Sequence, residues 1–339
     1  MQNRNQNIPF LIAFFLSSAT LLAQSVDSVA IAECPVARSI TISAVGDCTL
    51  GAYKGQALGN RFDEVAQKEG LAYFFQAVKS IFENSHLNIA NLEGPLTQAD
   101  YTVEKQFPMR GKPEYVEILQ HAGIHAVSLA NNHTFDCGAQ GYKDTQQVLD
   151  TAHILHFGGS AIAYQTINGI RVAMLGAKGW VINQAVKENL KKQIIEARQN
   201  ADLVIIYFHW GEEGENFSNK TQQALARHSI DCGADLVLGA HPHVVQGLET
   251  YKGKQIVYSL GNFCFGGNKN PRDKDTFIYQ ITFHLTDEGI VEAGTQIIPC
   301  SLSSVKDRND FRPVLLEGAD KERVLKRLAD YSVRDTVAN

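Results

Sequence analysis

The sequence predicts an α/β domain with more than one sheet layer, and three observations carry that prediction. Apolar runs of strand length alternate with amphipathic segments of helix length from residue 39 to about residue 260. Many of those runs stop at an Asp, Glu, Asn or His beside a glycine, as strands do where an α/β sheet presents its ligands. Two alternating runs, 276–285 and 290–299, are joined by Asp287-Glu288-Gly289 and read as a β-hairpin.

The elements follow in order. Arg4, the apolar run 8–16 and the small residues up to Ala23 have the pattern of a signal peptide. The expected organisation is therefore a signal peptide at 1–23, a polar linker at 24–38 and one folded domain at 39–335. The mature chain is expected to be secreted, periplasmic or on the outer face of the membrane, with the leader kept as an anchor as the alternative. A net charge of −5 without a Lys/Arg run gives no electrostatic footprint for nucleic acid, so no nucleic-acid partner is expected. Six cysteines in an exported chain allow disulfides, with Cys34–Cys300 and Cys48–Cys137 as candidate pairs and buried free thiols as the equal alternative.

The first strand, 39–45, runs into Gly46-Asp47-Cys48-Thr49. Leu71, Phe74, Phe75, Val78, Ile81 and Phe82 share one helical face and predict a helix packed on the sheet. Strand 87–92 ends in Glu93-Gly94-Pro95. Residues 104–109 suit an edge strand or a loop, and Arg110 and Lys112 after it are candidate contacts for an anionic substrate. After a short helix at 114–121, strand 124–129 leads to Asn131-Asn132-His133, with Asp136 three residues beyond the histidine. A helix at 139–151, strands at 154–157 and 170–176, and a helix at 184–199 precede strand 202–208, which ends in His209. Helix 220–232 and strand 235–239 lead to His241-Pro242-His243, where the proline predicts an extended path that sends both imidazoles into one site. Strand 255–260, the hairpin and a helix at 320–331 complete the chain.

Asp47, Glu93, Asn132, His209, His241 and His243 therefore all stand at strand ends. Carboxylate, amide and imidazole donors together suit one or two divalent ions such as Mn, Fe or Zn. A bridging carboxylate can hold two ions about 3.5–4 Å apart, as two-metal hydrolases do. His133 suits a metal ligand or a proton donor, with Asp136 fixing its tautomer. The remaining histidines read as core or surface residues.

The motifs Gly-Asp-Cys-Thr-Leu-Gly (46–51), Asn-Leu-Glu-Gly-Pro-Leu-Thr (91–97), Ser-Leu-Ala-Asn-Asn-His-Thr-Phe-Asp-Cys-Gly (128–138), His-Trp-Gly-Glu-Glu (209–213), His-Pro-His-Val-Val-Gln (241–246) and Tyr-Ser-Leu-Gly-Asn-Phe (258–263) occur in that order. This order resembles the calcineurin-like metallophosphoesterases and, more closely, their CapA family of poly-γ-glutamate capsule biosynthesis proteins. The resemblance implies an α/β/β/α sandwich of two central sheets flanked by helices. It implies that Asp47 and His243 bind one ion, that Asn132, His209 and His241 bind a second, that Glu93 bridges them and that His133 donates a proton. The implied protein is exported and membrane-associated. It would be a metal-dependent hydrolase or transferase acting on a phosphoester or a γ-glutamyl amide of an anionic polymer such as poly-γ-glutamate, with membrane-bound synthase components as partners. The sequence departs from the superfamily at Thr49, where its first motif has His, and at Glu93, where the bridge is Asp. The alternative implied by that departure is a non-catalytic polymer-binding component of a capsule synthesis and export complex.

Overall fold

Alternation along one strand sets the layering. In strand Leu203–Trp210, the side chains of Leu203, Ile205 and Tyr207 enter one core, and those of Val204, Ile206, Phe208 and Trp210 enter another. A strand apolar on both faces must be covered on both. The computed structural model describes residues 38–55 and 61–333. The expected leader, nearly all of the expected linker, and Cys34 lie outside the described residues.

One sheet runs, in spatial order, through Val314–Leu315, Gly289–Ser301, Asp275–Thr286, Arg38–Thr49, Leu87–Leu92, Ala126–Ser128 and Leu155–Phe157, and Asn262–Phe265 also pairs with Arg38–Thr49. The second sheet runs through Leu248–Tyr251, Lys254–Val257, Leu236–Ala240, Leu203–Trp210, Ile170–Gly179 and Ala163–Ile167. A short ribbon pairs Ala52–Tyr53 with Met109–Arg110. The sheets face each other across a core of Ile40, Ile42, Ile89, Val172, Ile205 and Leu238. The outer face of the first sheet is covered by Phe62, Phe75, Leu119 and Leu149 from the helical segments between its strands. Helices Gln184–Asn200 and Lys220–Asp231 cover the second with Leu190, Ile194, Leu225 and Ile230. The result is the predicted α/β/β/α sandwich. Its parallel strands, Arg38–Thr49, Leu87–Leu92 and Ala126–Ser128 in one sheet and Ile170–Gly179, Leu203–Trp210 and Leu236–Ala240 in the other, send their carboxyl ends to one edge.

A bulge aims the first acidic residue. Ile40, Ile42 and Ala44 face the second sheet, and the register against Leu87–Leu92 then shifts between Ala44 and Asp47. The extra residue resets the alternation, so Asp47 turns inward and Cys48 turns into the outer core. Gly46 allows this, because a Cβ there would lie 1.8 Å from the Gly261 carbonyl oxygen. Gly46→Ala is expected to destabilise the fold by about 3 kcal/mol, at the upper end of overpacking costs. Urea unfolding with a midpoint equal to wild type would contradict this.

Three expectations need correcting. The predicted helix over 71–82 is broken into a single 3₁₀ turn, Leu71–Tyr73, and a short helix, Lys79–Glu83, after an unforeseen helix Arg61–Glu69. Phe74, Phe75, Val78 and Phe82 still bury, so the apolar face is satisfied without continuous helix. Cys48 and Cys137 do not pair: both are buried free thiols, as are Cys264 and Cys300. The bulge puts Cys48 in the outer core, and burial pushes its thiol up to about 12. Finally, His241 and His243 do not follow an extended path, since their φ angles are 96° and 59°.

Candidate metal centre

Period-2 alternation delivers three of the site residues. His209 shares parity with Leu203, Ile205 and Tyr207, so it faces the first sheet. Asn91 and Glu93 continue the inward parity of Leu87 and Ile89 and face the second. The two histidines flanking Pro242 need more support, because positive φ is strained for any residue with a Cβ. The Asp47 Oδ2 accepts from the His241 backbone N–H at 3.1 Å, and the Pro242 carbonyl accepts from Gly214 N–H at 2.8 Å. The Asn262 amide donates to the His243 carbonyl at 3.1 Å, while its oxygen lies 2.9 Å from His243 Nδ1. These four contacts hold the strained turn.

The donors converge into two groups that share one carboxylate. Glu93, His209 and His241 offer ligand atoms within 4.8 Å of one another, and so do Asp47, Glu93 and His243. Glu93 Oε1 lies 3.4 Å from His209 Nε2 and 3.9 Å from His243 Nε2. Asn132 Oδ1 is 2.7 Å from His209 Nε2, which puts the amide beside the first group. His133 Nδ1 lies 2.7 Å from Asp136 Oδ2, and its Nε2 is 3.9 Å from Glu93 Oε1. Glu93 Oε1 and His241 Nδ1 are buried without a hydrogen-bond partner. A buried, unpartnered carboxylate oxygen is costly, and a cation bound among these donors removes that cost. The donor set therefore fits a divalent ion.

A family profile described as bacterial capsule synthesis protein PGA_cap matches residues 41–267. The chain belongs to this family. A PGA_cap relative described as capsule biosynthesis protein CapA, from Bacillus anthracis, is 33% identical and covers 94% of this chain and 79% of its own. A PGA biosynthesis protein CapA from Bacillus subtilis (strain 168) is 34% identical, covering 74% of this chain and 69% of its own. Among solved structures, a hypothetical protein from Thermus thermophilus superposes with a TM-score of 0.50 at 15% identity, over 77% of this chain and 98% of that one. That likeness concerns the fold alone.

In this PGA_cap protein the place of the superfamily histidine is taken by Thr49, whose hydroxyl donates to Glu93 Oε2 at 3.3 Å. That contact makes Thr49 a support for the shared carboxylate. Arg110 and Lys112 do not join the cluster. They line a separate cavity of about 400 Å³, where Arg110 donates to the Ala99 carbonyl at 2.9 Å and Lys112 lies 3.5 Å from Asp63. The larger cavity, about 1110 Å³, holds Asn132, His133 and His243 and is lined by neither Arg110 nor Lys112.

Several residues at the site escape sequence reasoning. Asn91 donates to Asp47 Oδ1 at 2.8 Å and sits 3.2 Å from His209 Nδ1, orienting both; its parity with Glu93 was the available signal. Lys105 pairs with Asp136 Oδ1 at 2.6 Å and donates to the Asn132 carbonyl at 3.1 Å, clamping the Asn132–Asp136 loop. Nothing in its irregular stretch announces this. Glu213 groups with His241 and His243, and the exposed Trp180 ring packs 4.4 Å from that of His241.

The charges are interlocked. Burial opposes charge on Glu93, yet His243, His209 and His133 together hold its carboxyl well below the usual carboxylate range. Burial also disfavours the His243 cation, but Glu93 and Asp47 outweigh it and raise that ring to about 10. Burial, then the neighbouring His209 and His243, push His241 down to about 3. At neutral pH the metal-free protein therefore carries a proton on His243 and none on His241. In that form the His243 cation adds stability that is fully present below its ordinary 6.5 and is lost as pH rises through about 10. An ion that takes His243 as a ligand must displace this proton, so uptake is expected to release protons and to tighten as pH rises toward 10. Titration calorimetry in two buffers of different ionisation enthalpy checks this; identical heats in both would count against it.

Proposed function

We propose that this protein acts in capsule biosynthesis, outside the cytoplasmic membrane, as a metal-dependent hydrolase or transferase on an anionic polymer such as poly-γ-glutamate. The bond attacked is a γ-glutamyl amide or a phosphoester, and membrane-bound synthase components are its expected partners. The observation that carries the reading is the unpartnered Glu93 Oε1 shared by two donor groups, with His133 beside it.

Asp47 and His243 would hold one ion, Asn132, His209 and His241 a second, and Glu93 both. A divalent ion such as Mn, Fe or Zn supplies Lewis acidity there toward a carbonyl or phosphoryl oxygen. The chain's own residues do the rest. Asp136 accepts the His133 Nδ1–H and so directs Nε2 at the cluster, where it can hand a proton to a leaving group. Lys105 fixes that carboxylate from its other oxygen. Asn91 keeps Asp47 and His209 oriented.

Elemental analysis of the purified protein tests the reading. Between one and two transition ions per chain are expected, lost in His241→Ala with the fold retained. A wild type that takes up no ion after reconstitution would end the hydrolase reading.

Thr49 favours a second reading, in which the same cavity holds polymer without cutting it, because a hydroxyl bonded to Glu93 Oε2 replaces a ligand. In that case His133→Ala leaves capsule formation unchanged at normal protein level. A capsule defect in the same variant favours catalysis.

A further inference from the structure

The loop over residues 266–273 forms one wall of the cavity that contains Asn132, His133 and His243, to which it contributes Lys269 and Arg272. The loop is rigidly held. The buried Asn309 side chain donates to the Phe265 and Asn268 carbonyls at 2.8 and 3.0 Å, and its backbone N–H donates to the Lys269 carbonyl at 2.8 Å. Gly266 N–H bonds the Thr49 carbonyl at 2.8 Å, tying the loop to the end of the first strand. At its far end the Arg327 guanidinium grips both oxygens of Asp273, at 3.0 and 2.5 Å.

Most of the charges next to the loop are satisfied. Lys274 donates to the carbonyls of Val305, Lys306 and Arg308. Asp273 is neutralised by Arg327, and Asp275 by Arg323 and Arg327. Across the cavity, Lys105 is committed to Asp136. Lys269 and Arg272 are not: among the described residues neither makes an ion pair or a side-chain hydrogen bond, and both are exposed on the cavity wall. The carboxylate facing them, Glu213, groups with His241 and His243 at the centre. A pinned loop that presents two unpaired cations beside a reaction centre is organised to receive negative charge from outside the chain. The cavity, about 1110 Å³, exceeds what one small ligand needs, which suits a segment of polymer.

We infer that Lys269 and Arg272 form the substrate clamp of this cavity, binding carboxylates of a polycarboxylate chain on either side of the bond presented to the metal centre. The inference rests on the reading under Proposed function and deepens it by assigning the charge contacts to this loop instead of to Arg110 and Lys112.

The test is the equilibrium binding of fluorescent poly-γ-glutamate of defined length to the metal-loaded protein. Lys269→Ala/Arg272→Ala is expected to weaken binding about tenfold, as the loss of two partly exposed ion pairs should. Metal content should stay at the wild-type level, and added salt should weaken the wild type more than the variant. Wild-type affinity in this variant overturns the clamp, and so does a larger loss in Arg110→Ala/Lys112→Ala. Inorganic polyphosphate that competes as well as polyglutamate overturns the polycarboxylate assignment. If the wild type binds no polymer at all, the reading of the function falls together with the clamp.

Discussion

Glu93→Gln is expected to lower affinity for a divalent ion by more than about a hundredfold and to abolish turnover. The comparison that sets the scale is the loss of a group merely hydrogen-bonded to a ligand, which costs about 10–100-fold in affinity. Glu93 is itself in both donor groups, so its loss should exceed that range. Glutamine keeps the shape and removes the charge and the anionic donor. Folding should survive, because Asp47 still faces His243 at 3.2 Å and Thr49 can still donate to the new amide oxygen. Metal analysis and thermal unfolding, run on the same sample, separate loss of the site from loss of the fold. A variant that retains the wild-type ion count would show that Glu93 is not a shared ligand.

The second large effect is on proton transfer. His133→Asn should retain bound metal and lose about 10²–10⁴ in turnover, the range that a positioned acid or base contributes. Asp136→Asn should lose activity in the same direction by a smaller factor. The imidazole would remain, but its Nδ1 would face an amide in place of the carboxylate 2.7 Å away, and the Lys105 amine would lose its partner at 2.6 Å. Turnover of His133→Asn within a few-fold of wild type, with metal loaded, would remove the proton-donor role and strengthen the polymer-holding reading.

The donor set was legible because each member stands at a strand end or in the turn just past one. An apolar run that stops at His209, or at Glu93 before Gly94-Pro95, states both where the side chain lies and which chemistry it brings. The layering was legible for a related reason, since strand Leu203–Trp210 is apolar on both parities. What the sequence hid was set by contacts between distant segments. Arg110 and Lys112 are close in sequence to Lys105, yet they line one cavity and Lys105 lines another. The inward turn of Asp47 depends on a bulge, and a bulge leaves little trace in a hydrophobic pattern. Lys269 and Arg272 carry no signal in the sequence, because their loop is held by Asn309 and Arg327, about 40 and 55 residues further along. The strained His241-Pro242-His243 turn likewise draws its support from Asp47 and Asn262.

The first strand also decides how the molecule can be attached to anything. The chain enters it at Arg38 and reaches the metal centre at Asp47, so the point of entry lies about 30 Å from the site at the ordinary rise per residue. The far end behaves differently. The closing helix Gly318–Tyr331 finishes with Tyr331 packed 5.0 Å from the ring of Phe217, whose neighbour Asn216 lines the large cavity. A surface tether or affinity handle placed ahead of Arg38 therefore joins the strand at the end away from the metal centre, whereas a fusion partner following the closing helix would start beside Phe217, next to a residue that lines the cavity.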